Sequence, residues 1–339
     1  MPQIKRKKTA YRISPALQHY LEEQGRVTPV PITYHDLLRY DNTVPLYDNR
    51  GNDTLWVTVF YPQQDMGRIY YALKMIYSIL KADGDISVMQ HLSVDRVDLC
   101  VYGNTRPFRV RIVNQINDNF DYCYIKYADA SRIYGLELEH ISSPNRMTYA
   151  VADQTLIEEH IAGIPGEQFF KEFLHNEHQN LTRLAKEFVK FNERCFVRLL
   201  GDMHSANFVV DVTPDFDELH YRIRAIDFDQ QSYEGSKSIY MPQYYKQNNP
   251  LIEVGLRVMT SESVRQYQKE EHALIAARLR SSRHRLKELL DTMTQDTLAP
   301  PAHVAQLKQA LARHHRNEAF LRCGSMGDVV RTSLWSSLG

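Results

Sequence analysis

The chain has 339 residues, of which 43% are hydrophobic and 24% are charged. These values are those of a globular protein with a real core, so they exclude a disordered or fibrous chain, and the length predicts two or three domains. Lys and Arg total 41, as do Asp and Glu, so the formal net charge is zero. Bulk charge therefore gives no affinity for a polyanion, and we do not expect nucleic acid as a partner.

The four cysteines are far apart and include no C-x-x-C pair, which excludes a zinc site or disulfide framework built on them: Cys100, Cys123, Cys195 and Cys323. No apolar run approaches the roughly 20 residues of a membrane span, and the basic N-terminus lacks the apolar stretch of a secretory signal. We therefore expect a cytoplasmic protein without a membrane span. The cluster at residues 5–8 is either a nucleic-acid contact or address, or a solvated tail.

The first half of the chain predicts mainly strands. Residues 1–50, broken by three prolines, are expected to be irregular. A strand is predicted at 54–61, and apolar spacings of three and four residues predict a helix at 66–82. Three runs that resemble an antiparallel meander follow, then a short helix and two more strands: 96–103, 107–114, 120–128, 131–142, 146–152 and 154–162.

The second half predicts mainly helices, and the Gly-Pro-Gly segment at 163–166 separates the halves. A long amphipathic helix is predicted at 169–193, then strand, turn and strand at 195–212, another strand at 221–230, and helices at 263–294 and 302–320. The expected architecture is α+β and bilobal. Its predicted divisions are an unassigned extension (1–90), a sheet-rich lobe (91–163) and a helical lobe (164–339).

Two segments bring acids to the ends of apolar runs. Gly201-Asp202-Met203-His204-Ser205-Ala206-Asn207 precedes an apolar run, and Ile226-Asp227-Phe228-Asp229 ends an alternating strand. Carboxylate and amide oxygens are the ligands that Mg²⁺ prefers, together with substrate phosphates, so Asn207 and Asp227 are candidate metal ligands. Asp202 is the candidate base or orienting group for an attacking hydroxyl.

This pair of segments resembles the protein-kinase-like superfamily, especially its aminoglycoside and choline phosphotransferase branch. There the catalytic loop reads approximately H-G-D-x-H-x-x-N, and the metal loop reads I-D-F or I-D-W followed by D, E or G. His204, in place of a Lys or Arg, is typical of the small-molecule kinases rather than the eukaryotic protein kinases. The resemblance covers about residues 95–235.

The resemblance implies further residues upstream. A lysine on the third strand should bind the α- and β-phosphates, and Lys126 lies in the third predicted strand of the meander. An acid of the next helix should pair with it. We choose Glu137, which falls in the apolar arc of that helix, whereas Glu139 falls on the polar side with Arg132.

The family hinge is similar to the segment 157–169, which implies that adenine rests against the backbone at Glu159, His160 and Ile161. Two features depart from the family. The expected phosphate loop, 103–107, has a single glycine, and the acids Asp202 and Asp227 are separated by a segment, 211–220, that is expected to form a hairpin tip. Asp229 replaces the last family glycine and is either an extra metal ligand or simply polar.

We therefore expect an ATP- and Mg²⁺-dependent phosphotransferase. We expect its acceptor to be a hydroxyl of a small molecule, and a hydroxyl of a protein is the second choice. Two alternatives stay open: a pseudokinase-like binding scaffold, which the weak glycine loop favours, and a nucleotidyl transferase on a kinase-like fold. A metallophosphoesterase is disfavoured because its later motifs, G-D-x-x-D and G-N-H-D or G-N-H-E, do not occur.

One further segment is locally basic, with Arg278, Arg280, Arg283, Arg285 and Lys287 along a predicted helix. It is either a solvated helix face or a surface that captures an acidic or phosphorylated substrate or a nucleic acid.

Overall fold

The computed structural model describes residues 8–48, 50–102, 105–176, 179–216 and 218–338. They divide into two compact units. The first, called the sheet unit, comprises Arg12–Asp129 and Met147–His160; the second, called the helical unit, comprises the described parts of Met1–Tyr11, Ala130–Arg146 and Ile161–Gly339.

The sheet unit is built on seven antiparallel strands in the order β1-β2-β3-β4-β5-β7-β6. Its elements are α1 (Pro15–Glu23), α2 (Tyr34–Leu37), β1 (Asn42–Tyr47), β2 (Asp53–Phe60), α3 (Gln63–Lys81), a 3₁₀ turn (Ile86–His91), β3 (Leu92–Cys100), β4 (Phe108–Asn114), β5 (Phe120–Tyr127), β6 (Tyr149–Ala152) and β7 (Thr155–Glu159). The predicted meander is confirmed, since β3, β4 and β5 are antiparallel neighbours.

The core of this unit forms because α3 and the sheet have complementary apolar faces. Ile69, Leu73 and Ile76 recur at helical spacing on one side of α3 and are buried. The alternating side chains Phe108, Val110 and Ile112 of β4 belong to the same buried cluster. Burying a side chain of this size contributes about 1.5–3 kcal/mol, so this interface is a main source of the unit's stability.

The helical unit contains a helix, a small three-stranded sheet and a run of helices. Its elements are α4 (Ala130–Ser142), β8 (Ile164–Pro165), α5 (Gly166–Glu172), α6 (Leu181–Arg198), β9 (Phe208–Asp215), β10 (Glu218–Ala225), α7 (Asn249–Val258), α8 (Ser261–Ser281), α9 (Arg283–Gln295), α10 (Pro301–His315) and α11 (Met326–Leu338). The strand order is β10-β9-β8, and β9 and β10 form the expected hairpin, with Asp215 opposite Glu218.

Residues 12–90 are not a separate extension, because β1 and β2 belong to the same sheet as β3. The region predicted to be irregular holds α1, α2 and β1. Ser14 caps α1 by accepting a hydrogen bond from the Leu17 N–H, with Pro15 at the first helical position. The sequence analysis gave more weight to the prolines of this region than to these local helix signals and therefore predicted irregular structure.

The helices predicted as continuous are interrupted. The segment 169–193 divides into α5 and α6, where the Asn180 side chain accepts a hydrogen bond from the Arg183 N–H and starts a new helix. The segment 263–294 divides into α8 and α9 at Ser282. Helix α11 was not predicted.

Candidate functional site

Asp202 follows a helix, and the prediction of a strand before it was wrong. Residues 195–198 complete α6, whose apolar stripe through Phe188, Phe191 and Cys195 is buried. The helix ends at Leu199, which adopts the left-handed conformation with φ 58°. The apolar end of this stripe resembles a buried strand when it is considered alone, which explains the error.

The loop after α6 is fixed by backbone contacts. The N–H of Gly201 donates to the Gln230 carbonyl at 3.1 Å, and the N–H of Asp202 donates to the Ile239 carbonyl at 3.1 Å. A Cβ on Gly201 would lie 2.9 Å from Ile239 Cγ2 and 3.1 Å from the Gln230 oxygen, so a side chain at this position would push the two segments apart. Asp202 itself has φ 63°, a conformation that non-glycine residues rarely adopt and that occurs often at functional sites.

Asn207 joins the two acidic loops. Its side-chain nitrogen donates to the Asp202 carbonyl at 2.8 Å, and its own carbonyl accepts a hydrogen bond from the Ile226 N–H at 3.0 Å. Because the amide nitrogen is engaged by Asp202, the amide oxygen is the atom that can bind a cation. The sequence predicted this proximity of Asn207 and Asp202.

Asp227 and Asp229 share a guanidinium. Arg132 Nη1 donates to Asp227 Oδ1 at 2.8 Å and to Asp229 Oδ1 at 2.7 Å, and the Asp229 N–H donates to Asp227 Oδ1 at 3.0 Å. The side chain of Asp227 is 36% exposed, whereas those of Asp229 and Arg132 are 8% and 2% exposed. Asp229 is therefore held by an arginine within the protein, and Asp227 is the more open of the two acids.

Arg132 is the site residue that the sequence analysis missed, because it was assigned to a polar helix face together with Glu139. That assignment was wrong: both are buried, and every residue of α4 except His140 is buried. The helix packs against α8 and α9 and is buried on all sides, so its amphipathic pattern does not mark a solvent side. The close approach of Gly135 to Phe228, where a Cβ would lie 3.0 Å from Phe228 Cβ, was the one signal available, a glycine in mid-helix.

The electrostatic state of Asp202 is unusual. Burial, and then the negative charges of Asp227, Glu234 and Asp229, raise the pKa of Asp202 to about 7. Burial lowers the pKa of His204, although the charges of Asp227 and Glu167 oppose the shift. The loops thus concentrate negative potential, which a cation near Asp227 would relieve.

The residues predicted to contact the nucleotide fall in different units. In the sheet unit, the Lys126 ammonium is 2.6 Å from Glu158 Oε2, and the two residues lie on neighbouring strands β5 and β7. In the helical unit, Glu137 is fully buried and receives three hydrogen bonds from Arg285, at 2.6–3.0 Å. Arg285 and Glu158 were not predicted as partners. The predicted pair of Lys126 and Glu137 joins the two units and stays a prediction.

The predicted hinge coincides with a division of the chain, since the sheet unit ends at His160 and the helical unit resumes at Ile161. Glu159 ends β7, and its carboxylate is bound by Lys81. His160 lies against the ring of Tyr122 at 5.6 Å between ring centroids. The predicted contact of adenine with this backbone remains a prediction.

Two predicted features lie partly outside the described residues. Of the phosphate loop, residues 103 and 104 are outside; Arg106 is described and has φ 44°. Of the basic cluster at 5–8, only Lys8 is described, and its ammonium donates to the Asp229 carbonyl at 2.7 Å.

Within the described residues, no group of three or more His, Cys, Asp and Glu side chains is arranged to hold a metal ion. The Mg²⁺ ligands predicted from the sequence, Asn207 and Asp227, are fewer than such a group, and a Mg²⁺ ion held by two protein oxygens would need substrate phosphates and water to complete its six ligands. None of the helices in the described part of the chain combines the length and apolar character needed to cross a membrane.

No family model matches the chain, and no curated protein matches it at a significant level.

Proposed function

We propose that this protein is an ATP- and Mg²⁺-dependent phosphotransferase of bilobal, kinase-like architecture, which transfers a phosphoryl group to a hydroxyl. The observation that carries the proposal is the connection of the two acidic loops. Asn207 binds the backbone of Asp202 through its side chain and the backbone of Ile226 through its carbonyl, so three oxygen-bearing side chains with distinct environments are held in one part of the helical unit.

Each residue has one role in the proposal. Asp202 accepts the proton of the acceptor hydroxyl or orients it, and its raised pKa suits a group that exchanges protons near neutral pH. Asn207 and Asp227 hold Mg²⁺, which would neutralise phosphate charge. Lys126, bound to Glu158 in its own unit, supplies an ammonium for phosphate oxygens. Positioning and charge neutralisation account for most of the rate in such reactions.

The acceptor is proposed to be a small hydroxylated molecule, and a protein hydroxyl is the second choice. Adenine is proposed to contact the backbone at Glu159 to Ile161, where the chain passes from one unit to the other. Nucleotidyl transfer uses the same groups, and analysis of the products separates it from phosphoryl transfer, because the acceptor gains a nucleoside monophosphate rather than a phosphate.

The first test is binding of nucleotides. We expect ATP with Mg²⁺ to raise the melting temperature by several degrees, because a ligand that binds only the folded state stabilises it. Asp227→Ala should lose the Mg²⁺-dependent part of this shift. Asp215→Ala, which removes an exposed acid of the β9–β10 hairpin, is the matched control and should behave like the unsubstituted protein.

The second test separates catalysis from binding. Asp202→Ala should lower turnover at least about 100-fold while the nucleotide still binds, because the residue acts on the acceptor. Turnover retained in this variant would refute the role of Asp202.

A binding scaffold is the second candidate, and one observation favours it. Arg132 already neutralises part of the charge of Asp227, as it does that of Asp229. Absence of any nucleotide-induced shift, with Mg²⁺ or Mn²⁺ and in the Arg132→Lys variant as well, would favour the scaffold over the enzyme.

A further inference from the structure

Helices α8, α9 and α11 of the helical unit line a pocket that lies outside the acidic loops. Its volume is about 690 Å³, which falls in the usual range of small-molecule sites, about 300–1,000 Å³. The three helices contribute twelve lining residues, and most of these are either leucines or basic residues.

The floor of the pocket is apolar. Leu279 comes from α8, Leu286 and Leu290 come from α9, and Leu334 comes from α11; each of the four is at most 5% exposed. Trp335 lies on the wall and is 56% exposed, which is unusual for so large an apolar side chain. A concave apolar surface with an open aromatic wall suits a hydrocarbon chain.

The rim of the pocket is basic. It carries Arg280, Arg283, Lys287 and Arg331 against the single carboxylate of Asp291, a formal excess of three positive charges from four cations and one anion. Asp291 is bound by Arg331 at 2.6 Å and lies 3.5 Å from Lys287. Among the described residues, Arg280 and Arg283 line the pocket, are exposed and form no ion pair, so both guanidinium groups are available to an anion there.

The basic segment found in the sequence therefore has two different uses. Arg285 binds the buried Glu137, and Arg278 lies 4.0 Å from Glu271, so these two are part of the internal structure. Arg280, Arg283 and Lys287 instead line the pocket. The sequence left open whether this helix is a solvated face or captures an anion, and the pocket beside it favours an anion with an apolar part.

We propose that this pocket binds a small amphiphilic anion. Its alkyl chain lies on the four leucines and beside Trp335, and its phosphate or carboxylate group is bound by Arg280 and Arg283. A neutral apolar molecule would leave the arginines unused, and a simple anion would leave the exposed indole of Trp335 in water. Only a ligand with both parts matches the pocket's chemistry.

The test uses Trp335 as its own reporter. The chain has two tryptophans, so Trp56→Phe leaves Trp335 as the single tryptophan, which is excited selectively over the tyrosines at the long-wavelength edge of absorption. We expect n-decyl phosphate, below its micelle concentration, to shift the emission to shorter wavelength with a saturable curve. Ethyl phosphate, which lacks the chain, and decyl maltoside, which lacks the charge, should bind at least tenfold more weakly. Calorimetry on the unsubstituted protein should give the same order of affinities.

Variants of the rim test the charged contact. Arg280→Gln with Arg283→Gln should weaken binding of decyl phosphate at least tenfold and remove most of its dependence on ionic strength. Arg313→Gln, an exposed arginine of α10 outside the pocket, is the control and should leave binding unchanged. Unchanged affinity in the double variant, or equal affinity for decyl maltoside, would overturn the proposal.

A vesicle assay distinguishes binding of a free amphiphile in the pocket from adsorption to an anionic lipid surface. Binding of monomeric decyl phosphate, with or without binding to phosphatidylcholine vesicles containing phosphatidic acid, supports the pocket. Binding to the anionic vesicles alone, with none to the monomer, would overturn it, because surface adsorption does not require the cavity.

Discussion

Two carboxylates of the helical unit differ in how their charge is compensated. Glu139 is buried in α4, where the Arg198 guanidinium, the Ser143 hydroxyl and the Asn145 amide all contact it. Burial by itself would raise the pKa of Glu139, but these three partners, together with the charge of Arg194, outweigh the burial and lower it. Asp202 lies in its loop near other acids, and burial and those acids raise its pKa to about 7.

The difference separates a structural acid from a candidate functional one. A charge in a protein interior requires a partner, and Glu139 has several. Asp202 faces Asp227, Asp229 and Glu234 as like charges, so its ionised form is unfavourable in the folded chain. Groups with such perturbed pKa values are concentrated at functional sites, which is why Asp202 stands at the centre of the proposed activity.

The largest effect on stability is expected from breaking the compensated pair. Arg198→Met should lower the free energy of unfolding by about 3–5 kcal/mol at pH 7, because it leaves the buried Glu139 without its cation. Arg313→Met, on an exposed position, should change it by less than about 0.5 kcal/mol. Denaturant titration measures both, and equal values would contradict the assignment of Glu139 as a structural acid.

The next effect concerns Arg132, whose guanidinium contacts both Asp227 and Asp229. Arg132→Met should cost about 3 kcal/mol, since it removes a buried guanidinium bound by Asp227 and Asp229. Arg132→Lys should recover part of this loss. If Mg²⁺ stabilises the Met variant more than it stabilises the unsubstituted protein, then the ion and the guanidinium compete for Asp227; equal stabilisation would show that they do not.

The contribution of Asp202 to the free energy of unfolding should change with pH in the opposite direction to that of Glu139. Because the folded pKa of Asp202 is raised from 3.8 to about 7, the folded state keeps a proton that the unfolded state loses, so stability falls as pH rises from about 4 to about 7 and then levels off. Without metal, the free energy of unfolding of the Asp202→Asn variant should therefore exceed that of the unsubstituted protein by about 3 kcal/mol at pH 8 and by only about 1 kcal/mol at pH 5. Thermal unfolding across this range checks the sign.

For Glu139 the folded pKa is lowered, so its contribution to stability is present at neutral pH and is lost as pH falls. Glu139→Gln should accordingly be most harmful at neutral pH and less harmful at acidic pH. A gain from Asp202→Asn that does not change with pH would contradict the unusual state of Asp202.

The smallest effect tests the contact of α4 with the segment from Phe228 to Gln231. Gly135→Ala adds a Cβ about 3.0 Å from Phe228 Cβ and 3.1 Å from Gln231 Cβ. The clash should lower the free energy of unfolding by about 1–3 kcal/mol, and the better helix propensity of Ala should raise it by about 1 kcal/mol. We therefore expect a net loss of about 1 kcal/mol. Gly67→Ala in α3, where nothing lies within 4 Å of the new atom, should instead stabilise. Higher stability of both variants would show that Phe228 and Gln231 move aside at little energetic cost.

The sequence predicted six of the seven strands of the sheet unit because their signals are local, and it missed β1. The alternation in 107–114 and the turn after it define β4 and its pairing with β5. The sequence also indicated that Asp202, Asn207 and Asp227 belong together, because the resemblance depends on residue types at fixed spacings. It could not show where α6 ends, since residues 195–198 are apolar and fit a strand as well as a helix.

The sequence by itself determined the α+β composition of the chain, the antiparallel meander and the acidic residues of the candidate site, because period and spacing are written along the chain. Only the tertiary structure decided which arginine side chains pair with the acidic residues. Arg132 lies about one hundred residues before Asp229 along the chain, and Arg285 lies even farther from Glu137. Nothing local marks such pairs, because a buried charge acquires its partner only when separate segments pack together.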